Sequence, residues 1–192
     1  MKAQLRSEYK LRLKNWIQGE NLDPSFLRIE QLEMHLESIL KTRSGIWSFF
    51  LALPFEPHLE LFSKRVSHIT WALPKVVGSQ LRFFVFDQNS KLHLSPMGIR
   101  EPDEAKGKEV LVSELAGALI PGLAFDEVGG RLGRGKGFYD RALERFTGEK
   151  IGVGFEAQIA DEPLPVDPWD IKMNCVVTES KVRVIPGSNE RK

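Results

Sequence analysis

The sequence has few of the features that mark secreted or membrane proteins. It contains a single cysteine, Cys175, which excludes an internal disulfide. Because Cys175 stands in the apolar run Cys-Val-Val, we expect a buried thiol in a cytoplasmic protein rather than a nucleophile. No apolar run reaches the roughly 18 residues that suggest a transmembrane helix. The N-terminal segment also lacks the hydrophobic centre of a signal peptide.

The chain has no large excess of either charge, and this bears on its partners. The 27 Lys and Arg residues almost balance the 26 Asp and Glu residues, which leaves a net charge of +1. A nucleic-acid-binding face would need a broad basic excess. The four histidines have no zinc-ligand spacing. We therefore expect a monomer that binds small molecules and neither nucleic acid nor membrane.

Positive charge is instead concentrated between Gly129 and Arg141, in the segment GGRLGRGKGFYDR. Glycines and cations alternate there, so the backbone can bend and present its N–H groups to an anion. The alternating residues are Gly133, Arg134, Gly135, Lys136 and Gly137. This pattern predicts a phosphate-binding loop.

The residues after the loop predict a helix and a metal ligand. Phe138, Ala142 and Phe146 have the spacing of one helical face, and a helix start favours bound phosphate. The loop also resembles a P-loop, but Gly137 stands where Ser or Thr would hold Mg²⁺. Asp140 in the first helical turn is then the candidate ligand. The alternative is a glycine-rich turn with a carboxylate near a helix start and no ligand.

The remaining patterns predict an α/β fold: a three-layer α/β/α single domain over residues 1–186 with a mainly parallel central sheet, followed by a flexible tail at 187–192. Helices are predicted at 2–17, from Asp23-Pro24 to about 40, at 57–66 and from Gly137 to 146. Strands are predicted at 46–53, 69–73, 81–86, 115–124, 151–155, 176–177 and 182–185. In the first helix the basic face is expected to be solvated, with a membrane-surface helix or a transit peptide as the alternatives.

The segment from Ile120 to Leu143, IPGLAFDEVGGRLGRGKGFYDRAL, closely resembles the signature of the 5-formyltetrahydrofolate cyclo-ligase (methenyltetrahydrofolate synthetase) family. Three further segments are similar to family motifs in the expected order. They are K-x-x-L-R at 2–6, MGIREP at 97–102 and LPVDPWDIKMNCVVT at 164–178.

The resemblance implies an enzyme, a cyclo-ligase, that converts 5-formyltetrahydrofolate into 5,10-methenyltetrahydrofolate with ATP and Mg²⁺. ATP would phosphorylate the formyl oxygen, and N10 would then attack the formyl carbon and expel phosphate. Catalysis of this kind depends on positioning and on neutralising charge. The cations and backbone N–H groups of the glycine loop suit that requirement.

By the same resemblance, the site residues fall into four groups. Lys136, Tyr139 and Arg134 are the expected catalytic residues. ATP is expected to contact Lys2, Arg6, Gly133, Arg134, Gly135, Lys136, Gly137, Phe138 and Tyr139. The folate is expected to contact Leu53, Glu56, Phe138, Tyr139 and Trp169. Asp140 and Asp170 are the expected Mg²⁺ ligands, with Asp167 competing with Asp170.

Two other functions are compatible with parts of the pattern. A phosphate loop on an α/β fold does not fix the second substrate, so another nucleotide- or sugar-phosphate-using enzyme remains open. The Arg- and Gly-containing run is also found in segments that bind nucleic acid, although the acidic and aromatic residues within it disfavour that role.

Overall fold

The computed structural model of the protein describes residues 1–18, 25–87, 89–95, 98 and 100–187. The predicted helix start at Asp23 and Pro24, residues Met97 and Ile99 of the MGIREP segment, and residues 188–192 of the predicted tail lie outside that description. Within it, no helix is long and apolar enough to cross a membrane.

Helices and strands alternate over much of the chain, as the sequence predicts. The α-helices are α1 (Lys2–Gln18), α2 (Ser25–Leu40), α3 (Glu60–Arg65) and α4 (Phe138–Ala142). The strands are β1 (Ile46–Ser48), β2 (Thr70–Val77), β3 (Gln80–Phe86), β4 (Leu92–Leu94), β5 (Arg100–Pro102), β6 (Glu109–Val110), β7 (Leu115–Pro121), β8 (Ala124–Phe125), β9 (Arg131–Leu132), β10 (Glu149–Val153), β11 (Cys175–Val177) and β12 (Val182–Val184). Single 3₁₀ turns occupy Val112–Glu114 and Glu156–Gln158.

One 8-stranded sheet forms the centre of the fold, in the order β12-β11-β10-β7-β1-β2-β3-β6. The inner strands from β11 to β2 are parallel, and the strands at both edges are antiparallel. Two small hairpins, β4-β5 and β8-β9, lie outside this sheet. The predicted mainly parallel sheet is therefore confirmed.

Hydrophobic clusters on the two faces of the sheet confirm the three-layer arrangement. On one face, Leu32 and Leu36 of α2 and Phe62 of α3 pack with strand residues that include Cys175. On the other face, residues around α4, including Leu143, pack against strand residues of the same sheet. Burial raises the pKa of Cys175 to about 11, which agrees with the expected buried thiol.

Helix α1 crosses the β8-β9 hairpin with its apolar side inward. Tyr9 and Leu13 are buried, and Trp16 packs on Phe155 with ring centroids 5.1 Å apart. Lys10 and Lys14 are exposed to solvent, as expected for a solvated basic face. This packing places the first turn of the helix next to Gly133 of the glycine loop.

Three predicted boundaries are wrong by four or five residues. Strand β1 ends at Ser48 rather than Leu53, because its pairing with β2 and β7 ends there and the following residues leave the sheet. Strand β2 continues through Pro74 to Val77. In this part it pairs only with β3, so no hydrogen bond from the Pro74 nitrogen to β1 is needed. Helix α4 ends at Ala142 because Leu143 leaves the helical conformation, and a turn then carries Phe146 to the core.

Close contact between β1 and β7 fixes the centre of the sheet. Trp47 of β1 is paired in register with Gly117 of β7. The indole lies so close to this glycine that a Cβ atom there would be 2.4 Å from Trp47 Cη2. Trp47 is only 1% exposed, so the ring has no free space into which it can move.

We expect Gly117→Ala to destabilise the protein by about 1–3 kcal/mol, because the added methyl group forces an overpacked core to rearrange. Urea unfolding followed by circular dichroism measures this change in the free energy of unfolding. The double variant with Trp47→Phe is the control, since the smaller ring should recover part of the loss. An unaltered unfolding midpoint for Gly117→Ala would contradict the proposed packing constraint.

Candidate active site

A pocket lies beyond the carboxyl ends of the parallel strands β1 and β7, where α/β sheets commonly bind ligands. The segment after β1, the end of β7 and the glycine loop form its walls. The residues lining it are Phe50, Leu51, Leu53, Glu56, Leu73, Pro74, Val76, Arg100, Glu101, Pro121, Gly122, Arg131, Gly133, Arg134, Lys136, Gly137, Phe138, Tyr139 and Asp140. One side of the pocket is therefore apolar and the other carries the cations of the loop.

Asp126 organises the turn that leads into the glycine loop. Its carboxylate Oδ1 accepts hydrogen bonds from the backbone N–H groups of Val128 (3.0 Å) and Gly130 (2.6 Å). Oδ2 accepts a third from Leu164 N–H at 2.7 Å. Only glycine fits at position 130, because a Cβ there would lie 2.2 Å from Asp126 Oδ2. This turn joins β8 to β9 and directs the chain toward the pocket.

The next residue of the loop, Arg131, anchors it to both neighbouring elements. Arg131 Nη1 donates to Pro121 O at the end of β7 (3.2 Å), and Nη2 donates to Asp140 Oδ1 in α4 (2.8 Å). The guanidinium lies 5.7 Å from the centre of the Tyr139 ring, and its side chain is 4% exposed. Arg131 therefore fixes the start of α4 relative to the sheet.

Two glycines give the loop the conformation that the sequence predicts. Gly135 has φ +98° and Gly137 has φ +64°, which favour glycine strongly. Arg6 of α1 donates from Nε to Gly133 O at 2.9 Å, so the first helix holds the loop. Helix α4 has only 5 residues, and its dipole is correspondingly small. An anion bound here would therefore depend on the loop amides and on Lys136 more than on the helix.

Glu56 and Arg134 form an ion pair across the pocket wall. Arg134 Nε donates to Glu56 Oε1 at 2.9 Å, and Arg134 Nη2 donates to Pro54 O at 2.8 Å. Glu56 Oε2 accepts from Leu53 N–H at 2.9 Å, in a turn that holds Phe55 at φ +75°. Burial raises the pKa of Glu56, although the Arg134 guanidinium opposes this shift. The pair therefore connects the segment after β1 to the glycine loop.

Tyr139 and Phe138 provide the aromatic wall of the pocket. Burial raises the pKa of Tyr139 well above its usual value, the nearby Glu56 carboxylate adds to this shift, and Arg131 opposes it. The hydroxyl of Tyr139 therefore stays protonated at neutral pH and remains a hydrogen-bond donor. Phe138 is held from behind by the Arg141 guanidinium, 5.4 Å from its ring centre.

Lys2, at the start of α1, bridges two carboxylates of the segment before β11. Lys2 Nζ donates to Asp167 Oδ2 at 2.6 Å and also to Asp170 Oδ2. Burial lowers the pKa of Lys2, but the bonds to Asp167 and Asp170 outweigh it and raise the pKa above its usual value. Asp170 Oδ2 also accepts from Asp167 N–H at 2.7 Å. Asp167 and Asp170 are the two alternatives that the sequence left for the second Mg²⁺ ligand. Both therefore hold α1 through Lys2.

The structure brings most, but not all, of the expected site residues to the pocket. Those that line it are Leu53, Glu56, Gly133, Arg134, Lys136, Gly137, Phe138, Tyr139 and Asp140. Gly135 belongs to the loop but does not line the pocket. Arg6 packs against it, with Arg6 Nε 3.3 Å from the position that a Cβ on Gly135 would take. Trp169, which was expected to contact the folate, is 65% exposed and lines a separate surface depression together with Asp170.

Sequence reasoning assigned no role to Arg131, Asp126 or Glu101. Asp126 is followed by Gly129 and Gly130 after two intervening residues. Such a pattern is typical of a turn in which the carboxylate accepts backbone hydrogen bonds, and it would have identified Asp126. Arg131 and Glu101 stand inside segments already singled out, but only the fold reveals what they contact.

The carboxylates expected to hold Mg²⁺ each have a cationic partner. Within the described part of the chain, no group of three or more His, Cys, Asp or Glu residues could hold a metal. Mg²⁺ commonly needs only one or two carboxylates beside substrate phosphates. Asp140 fits this requirement, since it lines the pocket and its bonds from Arg131 and Ile171 N–H both use Oδ1. Asp170 fits less well, because it lines a separate surface depression and not this pocket.

Comparison with known proteins places the chain among folate enzymes. The profile of the 5-formyltetrahydrofolate cyclo-ligase family matches residues 53–179. The 5-formyltetrahydrofolate cyclo-ligase of Escherichia coli is 39% identical over 105 residues, a match that spans 53% of this chain and 57% of the relative. The mouse cyclo-ligase is 28% identical over 93% of each chain.

Solved structures extend the likeness to the whole fold. The NMR structure of the Aquifex aeolicus 5,10-methenyltetrahydrofolate synthetase superposes with a TM-score of 0.80 and 32% identity, covering 100% of this chain and 96% of that one. The synthetase from Mycoplasma pneumoniae has the same fold, with a TM-score of 0.70 at 20% identity, over 93% of this chain and 98% of that one. The chain belongs to the 5-formyltetrahydrofolate cyclo-ligase family.

Proposed function

We propose that the protein catalyses the ATP- and Mg²⁺-dependent cyclisation of 5-formyltetrahydrofolate to 5,10-methenyltetrahydrofolate. The observation that carries this proposal is the shared pocket, in which an apolar wall faces a glycine loop with an exposed lysine. A ring system and a polyphosphate can meet in such a pocket. Family membership supplies the identity of the reaction.

The reaction needs an activated formyl oxygen. In the proposed sequence this oxygen attacks the γ-phosphorus of ATP, the bond to the bridging oxygen breaks and ADP leaves. The lone pair of N10 then attacks the formyl carbon, N10 loses its proton, and the carbon–oxygen bond breaks to release inorganic phosphate. The product carries a single carbon between N5 and N10. Each step spreads or moves negative charge on phosphate oxygens, so the protein must mainly stabilise anions.

Lys136 is the residue best placed to do this. Its side chain is exposed at the rim of the pocket, and no carboxylate of the described residues forms an ion pair with it. Arg134, the other cation of the loop, already serves Glu56 and Pro54 O through Nε and Nη2. We therefore assign the phosphate contact to Lys136 and the loop amides, with Arg134 as a positioning residue that also contributes positive charge.

The aromatic wall suits the formyl group and the pterin ring. Tyr139 stays protonated, so its hydroxyl can donate a hydrogen bond to the formyl oxygen or to the phosphate attached to it. Phe138 and Leu53 offer apolar surface to the ring. These contacts exclude water from an intermediate that water would hydrolyse.

Mg²⁺ would supply further neutralisation of the phosphate oxygens, and Asp140 is the residue that would hold it. Arg131 keeps the Asp140 carboxylate in place by a bond to Oδ1. Asp170 pairs with Lys2 and lies outside the pocket, so we assign the metal contact to Asp140.

The direct test is to mix the purified protein with 5-formyltetrahydrofolate, ATP and Mg²⁺ and to follow the near-ultraviolet absorbance of the methenyl product. We expect the band to grow only in the complete mixture, with ADP and phosphate formed in equal amounts. Folded protein that binds ATP but forms no methenyl product would contradict the folate assignment.

We expect Lys136→Ala to lower kcat about 10²- to 10³-fold, a loss typical of removing one charge-stabilising donor. Lys64→Ala is the matched control, because Lys64 lies in α3, is exposed and does not line the pocket. Steady-state kinetics at saturating ATP measure both variants. A kcat for Lys136→Ala close to that of the control would remove Lys136 from the catalytic residues.

We expect Asp140→Asn to raise the Mg²⁺ concentration required for half-maximal activity at least about 10-fold, because the metal loses an anionic ligand. The same change leaves the buried Arg131 guanidinium without a counter-charge, so the melting temperature should also fall. Calorimetric titration of the ATP-bound protein with Mg²⁺, at a temperature where circular dichroism shows a folded variant, separates the two effects. Asp161→Asn, an exposed aspartate outside the pocket, is the control. An unchanged Mg²⁺ requirement would mean that another group holds the metal.

A further inference from the structure

The pocket contains a third carboxyl group beside those of Glu56 and Asp140, that of Glu101. This residue lies in β5, where it is paired in register with His93 of β4. Glu101 lines the pocket that also contains Glu56, yet it is only 6% exposed. A glutamate buried to this extent almost always has a hydrogen-bond or ionic partner.

Glu101 has no such partner among the residues that the structure describes. Its neighbours in β5 do have partners: Arg100 forms an ion pair with Glu60, and Lys75 Nζ donates to Pro102 O at 3.1 Å. These contacts fix the hairpin and hold Glu101 against the pocket. A carboxylate that lines a pocket and has no donor within the described part of the protein is available to a ligand that supplies donors.

Glu56 differs from Glu101 in this respect. Its Oε1 accepts from Arg134 and its Oε2 accepts from Leu53 N–H, so both oxygens are engaged within the protein. A ligand that used Glu56 would have to displace one of these bonds or share an oxygen. Of the three pocket carboxylates, Glu101 is therefore the one whose two oxygens both lack a partner among the described residues.

We propose that Glu101 accepts hydrogen bonds from the N3–H and 2-amino groups of the pterin ring and thereby selects the folate substrate. The inference rests on the proposed function and extends it. The two donors lie side by side on the pyrimidine edge of the ring, so they match the two oxygens of one carboxylate. Glu56 then has a structural role, which is to hold Arg134 and the segment after β1.

The test is Glu101→Gln, which keeps the size of the side chain but replaces one acceptor by an N–H₂ group. Calorimetric titration should show binding of 5-formyltetrahydrofolate that is about 10- to 100-fold weaker, as expected for a lost hydrogen bond to a charged group. The affinity for ATP should not change. The melting temperature of the ligand-free variant should stay close to that of the parent, because Glu101 has no partner among the described residues to lose.

Two controls make the result specific. Glu104→Gln changes an exposed glutamate that pairs with Arg82 on the surface, so folate affinity and melting temperature should remain nearly as in the parent. An analogue of 5-formyltetrahydrofolate with a methyl group in place of the 2-amino group should bind less well to the parent. Glu101→Gln should lose most of that discrimination, because the contact responsible for it is gone.

The outcomes distinguish this inference from the proposed function. A parent protein that binds no 5-formyltetrahydrofolate would overturn both. A parent that binds and converts the folate, together with a Glu101→Gln variant of equal folate affinity, would overturn the role of Glu101 alone. A lower kcat with unchanged folate affinity, or a lower melting temperature of the ligand-free variant, would equally contradict a substrate-binding carboxylate.

Discussion

The buried ion pair between Arg131 and Asp140 is the interaction on which the rest of the site depends. It spans the glycine loop, since one partner enters the loop from β9 and the other lies in the first turn of α4. Arg131 also donates to Pro121 O at the end of β7. The loop is thus fixed at both ends to the sheet, so its glycines can adopt left-handed conformations without making the whole segment loose. A phosphate-binding backbone needs this rigidity because its amides must already point at the anion.

The sequence predicted the parts of this arrangement that local pattern determines. Alternation of apolar runs identified the sheet, and the glycines at 135 and 137 do have positive φ. Local pattern could not show which charged residues form ion pairs. Glu56 and Arg134 are far apart in the chain and meet only because β1 and β7 lie side by side. The fold brings most of the expected site residues to one pocket, but the sequence could not show which of their charges are paired within the protein. In the fold, Arg134 is already paired, and Lys2 is held by Asp167 and Asp170.

Trp169 lies away from the pocket. It stands beside Asp170, and the sequence analysis expected Trp169 at the folate and Asp170 at the metal. The backbone turn before β11, closed by Asp170 N–H to Asp167 O at 3.0 Å, leaves the indole exposed on another surface. Glu101 shows the converse. Its strand β5 lies outside the signature segment, yet the β4-β5 hairpin brings it to the pocket, where it has no partner among the residues that the structure describes.

These pairings divide the charges of the pocket into two groups with different consequences. Charges with partners inside the protein, such as Arg131, Arg134 and Glu56, are held before any substrate arrives and need little reorganisation. Lys136 and Glu101 lack ionic partners among the described residues, and they have opposite charges. A cation without a counterion suits a polyphosphate, whereas a carboxyl group without a donor suits the N–H edge of a heterocycle. In the proposed function the pocket would therefore offer separate, complementary contacts to two substrates, each completed only when its own substrate binds.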